Sequence, residues 1–175
     1  MRRKPYENRY AGSVPEPREP LLQAVLQFVR TARSCDGVLR IALVGSLATP
    51  KPLPKDADVL VTIEDGLDLG PLATAGRRLM GTAQTMNLGA DIFLADARGD
   101  YIGRICGYRE CHPRALCKAR LCGVRQHLND DLHVVTLSRE LIETPPVELW
   151  PEIRRRVEVP ADVEALLLTP LGDGG

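Results

Sequence analysis

Asp56 and Asp58 are one residue apart and lead into the aliphatic run Val59, Leu60, Val61. Alternate side chains of a strand share a face, so this spacing brings the two carboxylates to one side while Ala57, Val59 and Val61 face the other. Carboxylates held that close repel unless water screens them or a cation lies between them, and a hard divalent ion such as Mg2+ is the natural partner of oxygen ligands. Asp91 opens a further aliphatic run, Ile92 to Ala95. If that run forms the neighbouring strand, a third carboxylate joins the pair, and three acids at strand ends suit a two-metal site for in-line displacement at phosphorus. Gly45 and Ser46 end another apolar stretch, Val38 to Val44. A glycine there lets the backbone approach a phosphate, and the N–H groups and hydroxyl of the turn can donate to its oxygens. Each motif also has an ordinary structural reading, since Gly-Ser turns follow many strands and Asp-x-Asp can be a simple turn.

A second constellation follows. Cys106, Cys111, Cys117 and Cys122 lie within 17 residues, and His112, His127 and His133 fall in or just beyond that stretch. Reduced thiols gathered this way suit zinc, with His112 or His127 as substitute ligands. The intervals of four, five and four residues between the cysteines lack the two-residue knuckle common in structural zinc sites. The alternative is that the thiols are small buried residues. The same region is basic: from Tyr101 to Leu128, Arg104, Arg109, Arg114, Lys118, Arg120 and Arg125 stand against Glu110 alone, a net of +5 in a chain whose total is zero. That asymmetry points to an anionic partner or to a solvated arginine-rich surface.

The elements that must position these residues follow from periodicity. Leu21, Leu22, Val25, Leu26, Phe28 and Val29 recur at helical spacing, with Gly37 placed to end the helix. Val38–Val44 reads as a strand buried on both faces, Leu47 and Ala48 as the start of a short helix, and 58–63 as a second strand. Residues 67–86 carry a helical pattern despite Gly70, Gly76 and Gly81, and 90–95 read as a third strand. Residues 133–137 read as a strand, and prolines 145, 146, 151 and 160 divide the rest into short helical pieces, the last over 161–168. The expected fold is therefore α/β, a mixed sheet flanked by helices, with a basic Cys-rich insertion and short C-terminal helices. Residues 1–19, rich in charge and proline, read as a flexible arm, and 20–175 as one domain with its core at 38–96 and the Cys/His segment at 101–133. No apolar run approaches bilayer length, so no membrane partner is expected and the chain reads as cytoplasmic.

The string Gly45, Ser46, Leu47, Ala48, then Lys55, Asp56, Ala57, Asp58, Val59, Leu60, Val61 resembles the Gly-Ser and Asp-x-Asp motifs of the nucleotidyltransferase superfamily, with its polymerase-beta-like fold and minimal bacterial members. The likeness spans 38–95, about a third of the chain, and Asp91 stands where the family places its later acid. Leu47, Thr49 and several prolines replace the arginine and second glycine that often follow the Gly-Ser pair. The resemblance implies transfer of a nucleoside monophosphate from an NTP such as ATP to an acceptor hydroxyl on RNA, protein or a small molecule. Asp56, Asp58 and Asp91 would hold Mg2+, and Gly45 and Ser46 the triphosphate. The alternative is a non-catalytic binding or antitoxin-type regulatory module of the same fold, zinc-stapled through its cysteines.

Overall fold

The computed structural model describes residues 17–111, 117, 120–129 and 131–174. A seven-stranded mixed sheet forms its centre, with helices packed mainly on one face. The chain opens with α1 (Arg18–Ala32), then β1 (Val38–Val44), a 3-10 turn (Ser46–Ala48) and β2 (Asp56–Ile63). Next come α2 (Leu69–Thr85), β3 (Gly89–Asp96) and β4 (Tyr101–Ile105), followed by α3 (Arg120–Val124) and β5 (Leu128–Asn129). After a second 3-10 turn (Asp131–His133) come α4 (Arg139–Glu143), β6 (Val147–Trp150), β7 (Arg154–Arg155) and a helical run from Ala161 to Gly172. Residues 164–168 of that run are π-helical.

The strand order is β5-β4-β3-β2-β1-β6-β7. Only β2 and β3 run parallel, because α2 carries the chain back across the sheet between them; the other neighbours are antiparallel. Side-chain alternation then makes two cores. Ile41, Leu43, Ala57, Val59, Val61, Ile92 and Leu94 face α1, α2 and the C-terminal run. Ala42, Val44, Leu60, Phe93 and Ala95 face the other way, where Ile142, Leu141, Val135 and Leu137 cover part of the sheet. The α1 stripe Leu21, Leu22, Val25, Phe28 and Val29 is buried throughout, which is what its 3.6-residue periodicity demands.

Four local expectations change. Arg18 and Glu19, read as part of the arm, begin α1 instead. Arg18 is 6% exposed: its guanidinium pairs with Asp162 and donates to the carbonyls of Leu47, Thr49 and Lys51 at 3.1, 2.9 and 2.8 Å. Residues 1–16 of that arm lie outside the described residues. Residues 133–137 form no strand, because β5 already pairs with β4 and Val135 and Leu137 pack over the face of the sheet instead. Tyr101–Ile105, assigned to the Cys/His segment, is strand β4, and Val147–Trp150, placed among short helical pieces, pairs with β1. Among the described residues, no helix is long and apolar enough to cross a membrane.

Candidate functional site

The register of β2 on β3 sets the carboxylates. Asp58 is paired with Asp91 across the parallel ladder, and Asp56 with Gly89. Because Asp58 shares its face with Leu60, and Asp91 with Phe93, both carboxylates belong to the sheet face opposite α1 and α2. Gly45 reaches the same point from the end of β1. It adopts φ 70° and ψ −159°, and a Cβ on it would lie 2.1 Å from Asp58 Oδ2. Only a residue without a side chain permits that conformation and that approach. Gly89 repeats the device, since a Cβ there would meet Asp56 Oδ1 at 2.2 Å.

Asp56 and Asp58 have no ion pair among the described residues. Burial, then Asp91, then Asp56 push the Asp58 carboxyl up from 3.8 to about 7. Asp56 and Asp58 thus crowd together with no protein cation of their own, and a bound cation would relieve the repulsion. The donors suit Mg2+ chemically: all are carboxylate oxygens, and two come from adjacent strands in register. The Ser46 side chain also has no partner among the described residues. The turn that holds it is tied down by Thr49, whose hydroxyl donates to the Ser46 carbonyl at 2.7 Å, and by Arg18 on the carbonyls of Leu47, Thr49 and Lys51.

Asp91 differs from the other two. Arg104 Nη1 lies 2.6 Å from Asp91 Oδ1, and Arg104 Nε lies 2.8 Å from Asp131 Oδ2. Tyr101 donates to the other Asp131 oxygen at 2.8 Å. Asp131 is 4% exposed, a fourth carboxylate that no motif or spacing singles out. Its only signal was its place in the loop after the basic segment. Burial opposes the charge on Arg104, but Asp91 and Asp131 outweigh it and raise the guanidinium pKa.

The thiols form the second site. The ligand atoms of Cys106, Cys111, Cys117 and Cys122 all lie within 4.8 Å of one another, with Cys111–Cys122 and Cys106–Cys117 sulfur distances of 3.6 Å. That is far beyond a disulfide bond, and it is close to the roughly 3.8 Å edge of a tetrahedron with zinc–sulfur bonds of about 2.3 Å. The four cysteines could hold a metal ion such as zinc. Among the described residues, no other group of three or more Cys, His, Asp or Glu ligands gathers in this way, the three aspartates included.

Folding replaces the missing knuckle with backbone contacts. A turn over 107–110 folds Cys111 back, its N–H donating to the Gly107 carbonyl at 3.0 Å. Cys106 N–H donates to His127 O at 2.9 Å, and His127 N–H donates to Cys122 Sγ at 3.3 Å. His127 is thus a neighbour of the cluster, its Nδ1 3.6 Å from Cys111 Sγ, rather than one of the four ligands. Arg77 of α2 clamps the group, lying 2.9 Å from His127 Nδ1 and donating to Cys106 O at 3.3 Å. Burial, with Arg77 adding to it, lowers the His127 pKa. Burial also pushes the Cys106 thiol far up, reinforced by its hydrogen bond with Cys117, and raises Cys122. His133 is exposed, and His112 lies outside the described residues.

No family model, curated protein or solved structure matches the chain.

Proposed function

We propose that the chain is a nucleotidyltransferase that moves a nucleoside monophosphate from an NTP to an acceptor hydroxyl, releasing pyrophosphate. One observation carries the reading: Asp58 and Asp91 face each other in register while the bare backbone of Gly45 abuts the Asp58 carboxylate. The Gly45–Ser46 turn and the three aspartates thereby lie at the same end of the sheet. Asp56, Asp58 and Asp91 would hold Mg2+, which when bound neutralises the developing charge and aligns the attacking and leaving oxygens. Gly45 and Ser46 offer N–H groups and a hydroxyl to the outer phosphates, and Arg18 stiffens the turn that presents them. Asp91 accepts the proton of the attacking hydroxyl once its carboxylate leaves Arg104. The rate gain comes from positioning and charge neutralisation rather than covalent catalysis.

The four cysteines, in the same reading, hold one zinc ion that secures the end of β4 to α3, a structural role suited to a closed set of thiolates.

One feature favours a second reading, a binding module without catalysis: Arg104 already neutralises Asp91, as a structural ion pair would. Incubation of the protein with each α-labelled NTP, Mg2+ and cell extract separates the two. Transfer of label by the wild type, reduced about a hundredfold or more in a folded Asp58→Asn protein, supports the enzyme. Absence of any Mg2+-dependent NTP affinity supports the module, and undiminished turnover by folded Asp58→Asn refutes the site.

A further inference from the structure

The pairing of β4 with β3 stops at Arg104 and Phe93. Beyond it the chain turns toward the cysteine cluster, where Cys106 N–H donates to His127 O, and among the described residues the start of β3 has no β4 partner. The sheet is split there, and a cavity of about 860 Å3 opens in the gap, walled by α2 on one side and the 107–110 turn on the other. Its volume lies within the range of about 300–1,000 Å3 of sites that enclose a small organic ligand. It sits on the α2 face of the sheet, whereas the Asp58 and Asp91 carboxylates project from the opposite face. Asp91 and Arg104 border the cavity but are committed to each other. The cavity is therefore a second site, and nothing in it depends on the transferase reading.

The α2 wall is one face of the helix: Thr74, Arg77, Arg78, Gly81 and Gln84 recur three and four residues apart and all border the opening. Gly81 leaves this wall bare. A Cβ on it would meet nothing within 4 Å, although glycine is among the poorest residues for a helix interior. Met80, Leu88, Ala90 and Ile105 make the rest of the lining apolar, and Ile105 is buried. Four arginines stand against Asp91 and Glu110, a net charge of +2. Arg77 is engaged by His127 and Cys106. Arg78 on α2 and Arg109 on the facing turn are exposed and have no ion pair or side-chain hydrogen bond among the described residues. Cys106 and Cys111 bracket the turn that carries Arg109, so the thiol cluster fixes that wall at both ends.

We propose that this cavity is a binding site for a small organic phosphate with an apolar body. The phosphate lies between Arg78 and Arg109, whose guanidiniums offer paired donors to its oxygens from the two walls. The body packs against Met80, Leu88 and Ile105 in the space that Gly81 leaves open. Both halves of the ligand are needed. Phosphate alone would leave the apolar lining in water, and an uncharged apolar molecule would leave both guanidiniums without a partner.

The probe is 1-naphthyl phosphate, titrated calorimetrically into the full chain in magnesium-free buffer, with 1-naphthol and inorganic phosphate as its separate halves. The wild type should bind one equivalent of the probe, and each half about tenfold or more weakly. Arg78→Gln with Arg109→Gln should weaken the probe about tenfold or more. Gly81→Leu should abolish binding by filling the cavity, and it should melt no lower than the wild type because leucine is the better helix former. The charge-matched control, Arg154→Gln with Arg155→Gln on β7 at the far edge of the sheet, should bind the probe as the wild type does. Circular dichroism establishes that each variant is folded. Absence of saturable binding at millimolar probe, inorganic phosphate binding as tightly as the probe, or undiminished affinity in folded Gly81→Leu overturns the site. Loss of affinity in folded Asp58→Asn would put the probe at the carboxylates and overturn it equally. Label transfer from NTP is a separate measurement, so failure of this site leaves the transferase reading where it stood.

Discussion

Replacing Asp58 by Asn should stabilise the metal-free protein above neutral pH. Asp58 is crowded by Asp56 on its own strand and by Asp91 in register on the next, and burial, followed by those two charges, lifts its carboxyl from 3.8 to about 7. In the unfolded chain this group ionises near 4, whereas in the fold it keeps its proton until about 7. Its contribution to stability is therefore full below pH 4 and is lost as pH rises through 7. A rise of about three units at roughly 1.4 kcal/mol each corresponds to about 4 kcal/mol. Because the carboxylate is only partly buried and solvent screens it, about 2 kcal/mol is the expected effect. For a domain of this size that is a melting shift of roughly 6 °C. Thermal melts followed by circular dichroism from pH 5 to 8.5, in magnesium-free buffer, measure it. The wild type should lose stability across this range relative to Asp58→Asn, and the variant should melt higher at pH 8. Added Mg2+ should raise the wild type and leave the variant nearly unmoved. Parallel pH profiles, or a variant that melts lower than the wild type at pH 8, would refute the argument from crowded carboxylates.

Gly45→Ala should cost about 2–4 kcal/mol in urea unfolding, because its methyl would fall on Asp58 Oδ2 in a backbone conformation that side chains avoid. Part of that cost should disappear in an Asp58→Ala background, and an unchanged cost would mean that the backbone conformation alone is responsible. Protein purified without an affinity tag should carry about one zinc per chain by elemental analysis and should melt at lower temperature after chelation. Cys111→Ser and Cys117→Ser should each lose the metal, while Cys35→Ser, outside the cluster, should keep it. Less than about a tenth of an equivalent in the wild type would leave the thiols as core residues.

Much of this protein is written in local pattern. The alternation that put Asp56 and Asp58 on one face, the aliphatic runs of β1, β2 and β3, and the helical stripe of α1 each depend on neighbours a few residues apart, so the sequence by itself determined them. The gathering of four cysteines within 17 residues was equally legible, although the ligand geometry was not. What tertiary structure alone decided is every partnership across long separations. The parallel register that sets Asp91 opposite Asp58 depends on how α2 crosses the sheet, and no local signal encodes it. Arg18 looked like part of a charged leader because its partners, Asp162 and the carbonyls after Ser46, lie 29 to 144 residues away. Arg104 read only as one charge of a basic segment, and it is β4 and the following turn that set its guanidinium between Asp91 and the buried Asp131 carboxylate. Val135 and Leu137 alternate as a strand does, yet they cover the face of the sheet, because the edge they would have joined is held by Leu128 and Asn129. Periodicity says which side of a segment is apolar, and only the packed chain says what lies against it.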